Sequence, residues 1–502
     1  MVALSGERRY RYGPLERRAL VGPLRPGQVV ILALGAAVGL GGLYAVRGFG
    51  GLAIGVGAIG AAAAAILVPL EGRTAEEWAP VAISWALRRR RVRAGYRSKA
   101  VGAGTRIGSG GDPVHELSLP DALAGLELLS VPYGREEVGV MRDRRAGTYT
   151  AVLAVRAGAF GLRDASEQER KLDAWGSVLA SCGRDGGPVR RLQWIERTLP
   201  ALGDELAAHL QAERDRAVPI DSTLVRSYIE LIESAAPATQ EHEVLIGVQI
   251  DQRRGAKELR RMGGGEEAAC ELLLREAEGL AERLSLAELT VFGVLRPRQY
   301  AEVIRDAFDP FGRQGRARAA LGEPEREGVE PALMGPLADE TDWSTYRTDS
   351  AVHATYWISG WPRTDVGPTF LMPLLMQGGA LRTVSVTIEP IPYSVAMRRA
   401  EAQRTAEVAE EMQRERQGFL TTARSHRRQQ AAAGREEELA DGHALLRWVG
   451  MVTVSARSAE TLERSTSNVE HAAAQARLEL QRLYGEQDAA FASTLPLGRG
   501  LT

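Results

Sequence analysis

GLAIGVGAIGAAAAAILVPL, residues 51–70, contains the spelling Gly55-x-Gly57-x-x-Gly60 of a dinucleotide-binding glycine loop inside an unbroken apolar run. A pyrophosphate loop needs a buried strand before its first glycine, a helix after its last, and a second strand ending in a carboxylate about 20 residues on. Only Leu52, Ala53 and Ile54 separate Gly51 from Gly55; Glu71 comes too early, and Glu76 and Glu77 stand in a polar amphipathic segment. The stretch therefore reads as a membrane-spanning helix. Upstream, VVILALGAAVGLGGLYAV (Val29 to Val46) is a second apolar run, separated from the first by a short glycine-rich turn. Each run spans roughly 27 to 29 Å as a helix, close to the hydrocarbon thickness of a bilayer. The nine Val, Ile and Leu residues of the upstream run favour insertion by about 4 kcal/mol, and no charge opposes them.

Within such a hairpin the glycines have a packing role. Gly35-x-x-x-Gly39 and Gly51-x-x-x-Gly55 place small residues one helical turn apart, which lets backbones approach closely in lipid. Orientation follows from the flanks. Arg8, Arg9, Arg11, Arg17, Arg18 and Arg25 precede the hairpin, Arg88, Arg89, Arg90, Arg91, Arg93, Arg97 and Lys99 follow it, and the turn carries only Arg47. Both termini are thus expected on the cytoplasmic side of the plasma membrane, with the basic flank against its lipid. The apolar runs are too long, and too soon followed by a basic stop, for a cleavable signal peptide.

The expected fold class is α+β: a transmembrane helical hairpin, then a cytoplasmic region of mixed sheets with helices packed on one face. Residues 1–28 form a basic amino terminus, 29–70 the hairpin, and 71–99 a basic helix whose Trp78 and Trp85 are expected at headgroup depth. Residues 100–113 read as a linker, 114–311 as an α/β subdomain with strand and helix signals interleaved, and 312–342 as a second linker rich in Gly, Pro, Arg and Glu. Residues 343–502 form a second α/β subdomain that includes a long charged helical hairpin. Its run Arg424, His426, Arg427 and Arg428 is a candidate partner-binding patch, set against the simpler reading of a solvated helix.

Composition bounds the function. Hydrophobic content of 44% and charged content of 25% are those of a globular protein. A formal net charge of −1 provides no global field to recruit nucleic acid, and no sequence-specific nucleic-acid binding is expected. Cys182 and Cys270 form no CxxC and read as reduced thiols. No G-x-x-x-x-G-K-[ST] occurs, and none of the three lysines (Lys99, Lys171, Lys257) follows a glycine, so no phosphate loop of an NTPase is present. The seven histidines show no metal spacing, and Ser109 lacks the first glycine of a nucleophile elbow. No catalytic residue, cofactor or metal ligand is assigned, and the chain is not expected to be an enzyme.

The order of parts resembles a known pairing. The hairpin followed by EGRTAEEWAPVAISWALRRRR is similar to the PrgI-like membrane subunit of type IV secretion and conjugation systems. TYTAVLAVRAGAFGLRDASEQERKLDAWGSVLASC, LSLAELTVFGVLRPRQYAEVIRDAFDP, ISGWPRTDVGPTFLMPLLMQGGALRTVSVTIEPIP and the closing DAAFASTLPLG resemble the amino-terminal domain of VirB-class conjugative ATPases. In that family a motor domain follows the Leu-Pro-Leu segment, whereas Leu497 is here followed by only five residues. The resemblance thus implies a docking subunit, possible oligomerisation, and two kinds of partner: a separate VirB-class traffic ATPase and other secretion-channel membrane subunits. Scarcity of lysine and asparagine adds an actinobacterial, GC-rich signature. A membrane subunit of a type VII secretion system, which also joins an amino-terminal hairpin to a cytoplasmic domain, is the alternative; a membrane-anchored enzyme is a third.

Overall fold

The structure is a computed structural model and describes residues 26–46, 48–67, 73–92, 95–98, 119–156, 158, 160–200, 222–223, 225–227, 240–320, 328–416 and 444–501. The two apolar runs are helices α1 (Pro26–Ala45) and α2 (Phe49–Leu67), of 20 and 19 residues. Both are long and apolar enough to cross a membrane. Gly48, at φ +91°, makes the left-handed turn between them, a conformation that a Cβ disfavours. The polarity of the pair is inverted relative to a soluble hairpin. Leu34, Val38, Leu40, Val56 and Ile59 face outward, while Gly35, Gly39, Gly51, Gly55 and Ala62 are buried between the helices. Large apolar side chains outside and small residues inside suit lipid, where close backbone contact drives pairing. Helix α3 (Ala75–Val92) follows; Glu77 accepts from the Thr74 N–H at 3.1 Å and so caps its first turn.

Beyond α3 the chain builds β1 (Tyr96–Arg97), β2 (Leu126–Tyr133), β3 (Glu136–Asp143), β4 (Thr148–Arg156), α4 (Ala165–Cys182), β5 (Val189–Pro200), β6 (Gln240–Asp251), α5 (Ala256–Arg261), α6 (Gly265–Leu286), β7 (Thr290–Val294), α7 (Pro297–Phe308) and α8 (Arg313–Ala320). Then come β8 (Ala338–Thr341), β9 (Tyr346–Arg347), β10 (Val352–Gly360), α9 (Met372–Leu375), β11 (Leu381–Pro390), α10 (Tyr393–Arg416), β12 (Leu446–Ala456), α11 (Ala459–Gln475), β13 (Glu479–Arg482) and α12 (Gln487–Ala492). The strands form one 13-stranded sheet in the order β1-β8-β9-β10-β12-β11-β5-β6-β4-β3-β2, with β13 beside β10 and β7 beside β4. Every pairing is antiparallel.

Three expectations are corrected here. Among the described residues the sheet is single and antiparallel rather than one of several mixed sheets, and helices cover both of its faces. In β4, Ala151 and Leu153 face one core with α4 and α6, while Val152 faces a second core with α7 and α12. Period-2 alternation places successive residues on opposite faces, so a strand buried on both reads as the continuous apolar run TAVLAV. The segment 312–342 is not simply a linker, since it contains α8 and strand β8.

The sheet is an internal duplication. Residues from β2 to α7 and from β8 to α12 follow the same order of strands, and each copy runs outward from a central strand, β5 or β11, through equivalent neighbours. Matching detail extends to single hydrogen bonds. Leu295 donates its N–H to Val152 O at 2.9 Å, and Leu483 donates to Thr355 O at 3.0 Å. Helices α6 and α11 both end in a left-handed residue, Glu288 (φ 60°) and Arg477 (φ 58°). After each, a leucine N–H reaches back to the helix, Leu289 to Leu284 O and Leu478 to Ala473 O, which is the Schellman arrangement. The antiparallel pairing of β5 with β11, Val386 opposite Trp194, joins the copies about a pseudo-two-fold.

The final residues are threaded through this join. Gln193, fully buried on β5, donates to Ser493 O (3.1 Å), Leu495 O (2.9 Å) and Ser385 Oγ (2.8 Å), and accepts from Gly498 N (2.7 Å). Gln249 donates to Leu497 O, Tyr300 to Pro496 O, Arg191 to Gly498 O and Thr387 to Arg499 O. Leu495 and Leu497 fill the core between α7 and α12. Residues 493–499 are therefore part of the fold's centre, held because each buried carbonyl needs a donor.

Candidate docking junction between the hairpin and the sheet

Helix α3 connects the apolar hairpin to the duplicated sheet. Trp78, Val81, Trp85 and Arg88 lie three, four and three residues apart, which puts them on one helical face. Trp343, in the turn between β8 and β9, meets that face: its ring stacks on Trp78 (centroids 5.5 Å, 25° between planes) and meets Trp85 edge-on (5.1 Å, 77°). Tyr484, just after β13, completes the cluster at 5.8 Å from Trp78 and 6.4 Å from Trp343. Gly485 makes the close approach possible. It sits at φ +72°, and a Cβ there would lie 2.7 Å from the Trp343 ring and 3.0 Å from Val81. Its N–H bonds to Trp343 O at 2.6 Å.

Charge closes both ends of the contact. Arg88 donates to Gly485 O at 3.0 Å and lies 3.5 Å from Asp488 in the first turn of α12, where a carboxylate also suits the helix dipole. Arg73 reaches Glu486 at 3.6 Å and lies over the Trp78 ring at 5.4 Å. The chain then continues onto the sheet. Gly95 turns at φ +56°, and β1 pairs with β8, Tyr96 opposite Asp339. A cleft of about 510 Å³ remains between α3, β1, β8 and α12, lined by Trp85, Arg88, Arg97, Asp339, Arg347 and Asp488. Burial pushes the Asp339 carboxyl up, opposed by hydrogen bonds from the Tyr346 hydroxyl (2.7 Å) and the Tyr96 N–H (3.2 Å).

The geometry adds partners to the basic helix. Trp78 and Trp85 pack against Trp343, Trp78 also against Tyr484, and Arg88 is engaged by Gly485 and Asp488. Arg89, Arg90 and Arg91 continue the helix, whereas Arg93 lies outside the described residues. The patch Arg424, His426, Arg427 and Arg428 also lies outside them. Of the hairpin glycines, a Cβ on Gly35 would meet Ala62 Cβ at 2.6 Å, one on Gly39 would meet Gly55 O at 3.2 Å, and one on Gly55 would meet Gly39 O at 3.4 Å. A Cβ on Gly51 would run into Val46 O. Gly42, not singled out from sequence, faces Ile54 at 2.5 Å in the same contact. Trp343, Tyr484 and Gly485 were missed as well. The one available signal was a tryptophan placed in the polar turn TDWST.

Two buried ionisable groups elsewhere are held by polar partners, Asp306 and His353. Asp306, 1% exposed, receives Arg316 at 2.7 Å and Arg313 at 3.1 Å; burial pushes its carboxyl up and the arginines oppose this. His353, fully buried between Thr348 Oγ1 and Ser455 Oγ at 2.8 Å each, is pushed down by burial to about 3 and is therefore neutral. Burial raises both cysteine thiols, Cys270 to about 11, so neither is a thiolate at neutral pH. Among the described residues no group of three or more His, Cys, Asp or Glu is arranged to hold a metal ion.

Fold and junction together define a class of architecture: an apolar helical hairpin tied by a docked helix to a duplicated antiparallel sheet. Residues 238–358, from β6 into β10, match the family model described as a putative type VII ESX secretion system translocon, EccE. No curated protein matches the chain. The matched model describes a secretion-system translocon component, and the match favours the type VII alternative. It overturns the type IV resemblance, and with it the PrgI-like and VirB-like labels and the VirB-class ATPase as partner. An amino-terminal hairpin joined to a cytoplasmic domain fits both readings, so that pattern did not separate them.

Proposed function

We propose that this chain is a non-enzymatic membrane subunit of a type VII-like secretion translocon. The hairpin anchors it in the cytoplasmic membrane, and the duplicated sheet forms a docking body for other membrane subunits of the apparatus. The match over residues 238–358 carries this reading, and the two apolar helices support its membrane placement. Helix α3 gives the arrangement a mechanical sense. Its aromatic and ionic contacts hold the sheet against the base of the hairpin, so a load on one is passed to the other. The arginine asymmetry around residues 29–70 supports a placement of both ends of the hairpin, and hence of the sheet, on the cytoplasmic side.

Two measurements test this. Full-length tagged protein, extracted from its native membrane in mild detergent, should co-purify with the other membrane subunits of a type VII translocon; recovery in the soluble fraction, or in membranes without any of them, refutes the assignment. In intact cells, Gly6→Cys and Ser98→Cys should resist a membrane-impermeant thiol reagent. Labelling of either from outside would overturn the topology.

A further inference from the structure

The duplication exposes a difference between the two ends of the sheet. At one end the outer edge of β8 is occupied, because β1 pairs with it. At the other end stands its counterpart, β2, eight residues long and, among the described residues, paired only with β3. The register defines what this edge offers. Arg144 donates to Gly125 O, and Tyr133 opposes Glu136 across a two-residue turn with Gly134 at φ +64°. Odd-numbered residues of β2 therefore bond to β3, and Leu126, Leu128, Ser130 and Pro132 turn their backbone groups outward.

We propose that the β2 edge pairs antiparallel with the β2 edge of a second copy of this chain, in a register centred on Leu129. Leu129 then faces its own equivalent, Leu128 faces Ser130, Glu127 faces Val131, and Leu126 faces Pro132. No like charges are opposed. Leu128 and Ser130 exchange four backbone hydrogen bonds, and the Leu126 N–H of each copy reaches Pro132 O for two more. Proline lacks an N–H, and this register puts that gap opposite Leu126, the first residue of the strand, where it interrupts no interior bond.

Packing favours the same occupant. Leu129 and Val131 are partly buried at the margin of the core beneath α4 and α6, and Leu128 at the margin of the core on the opposite face. A second copy would continue both apolar layers across the new strand pair. An unprotected edge of this length is otherwise a template for uncontrolled pairing, and a closed two-fold uses it up.

The full chain in detergent provides the test, by light-scattering mass and by oxidative cross-linking. Wild type should have twice the mass of Ser130→Pro, because that proline removes an outward N–H while leaving every backbone bond to β3; the side-chain bond from Ser130 to Glu137 is lost with it. Leu129→Cys should form an intermolecular disulfide, since facing residues of a non-hydrogen-bonded pair lie about 4.5 Å apart at Cα. Val131→Cys should not, because its equivalent would lie about 14 Å away along the strand at roughly 3.4 Å per residue. Cys182 and Cys270 are buried and contribute little background. A monomeric wild type, an undiminished mass in Ser130→Pro, or equal cross-linking at 129 and 131 overturns the proposal; the cysteine pair decides alone if the proline variant does not fold.

Discussion

Replacing Trp343 with alanine should release α3 from the sheet while leaving the sheet folded. The ring makes two aromatic contacts with α3, to Trp78 at 5.5 Å and Trp85 at 5.1 Å. Each such pair is worth about 0.5 to 1.5 kcal/mol beyond its buried area. Adding the apolar area lost at about 25 cal/mol per Å² brings the weakening to about 3 kcal/mol. The Arg88 and Asp488 pair is half-exposed on one side and contributes at most about 1 kcal/mol, so the aromatic cluster dominates the docking. At 1.4 kcal/mol per factor of ten, amide hydrogen exchange across residues 75–92 should accelerate about 100-fold. Exchange in β5 and β6, at the centre of the sheet, should be unchanged. Gly485→Ala should act in the same direction, since its Cβ would enter the Trp343 ring. Unaltered exchange in α3, or faster exchange throughout the sheet, would refute the reasoning: the first would mean the rings do not hold the helix, the second that Trp343 supports the sheet itself.

Gln193→Ala should lower global stability by about 3 kcal/mol, because it strands several buried backbone groups of residues 493–498; a loss below about 1 kcal/mol in chemical denaturation would show that the closing segment is held by its leucines alone. His353 supplies a pH dependence. Its folded value lies near 3, below the usual 6.5, so its contribution is complete above pH 6.5 and falls by about 1.4 kcal/mol per pH unit between 6.5 and 3. Denaturation of wild type against His353→Gln should reveal that extra slope, and parallel curves would remove His353 from the account. In the hairpin, Gly39→Leu and Gly55→Leu should reduce thermal stability in detergent far more than Gly41→Leu, whose Cβ would meet nothing within 4 Å. Equal losses would place the helix contact elsewhere.

The two apolar runs were legible from residues 29–70 alone, because unbroken apolarity over a bilayer's thickness is a local property. The same holds for β4, β10, β11 and β12, whose β-branched runs are complete within each strand. β3 escaped notice, since EEVGVMRD carries charges at both ends and only four central residues buried. Helical periodicity also showed that Trp78 and Trp85 share a face, but not what would cover it. Pairing partners are another matter. Alternation in a strand specifies which residues face a core and says nothing about which strand lies beside it, so neither the antiparallel join of Thr387 to Gln193 nor the order of thirteen strands could be read. The duplication is equally hidden, because Val152 and Thr355 occupy equivalent places with unlike side chains: what the copies share is backbone hydrogen bonding, which any residue but proline can provide. Tertiary structure alone brought Trp343 and Gly485, 142 residues apart, onto one face of α3, because that contact depends on where the sheet places two turns and on the absence of a single Cβ.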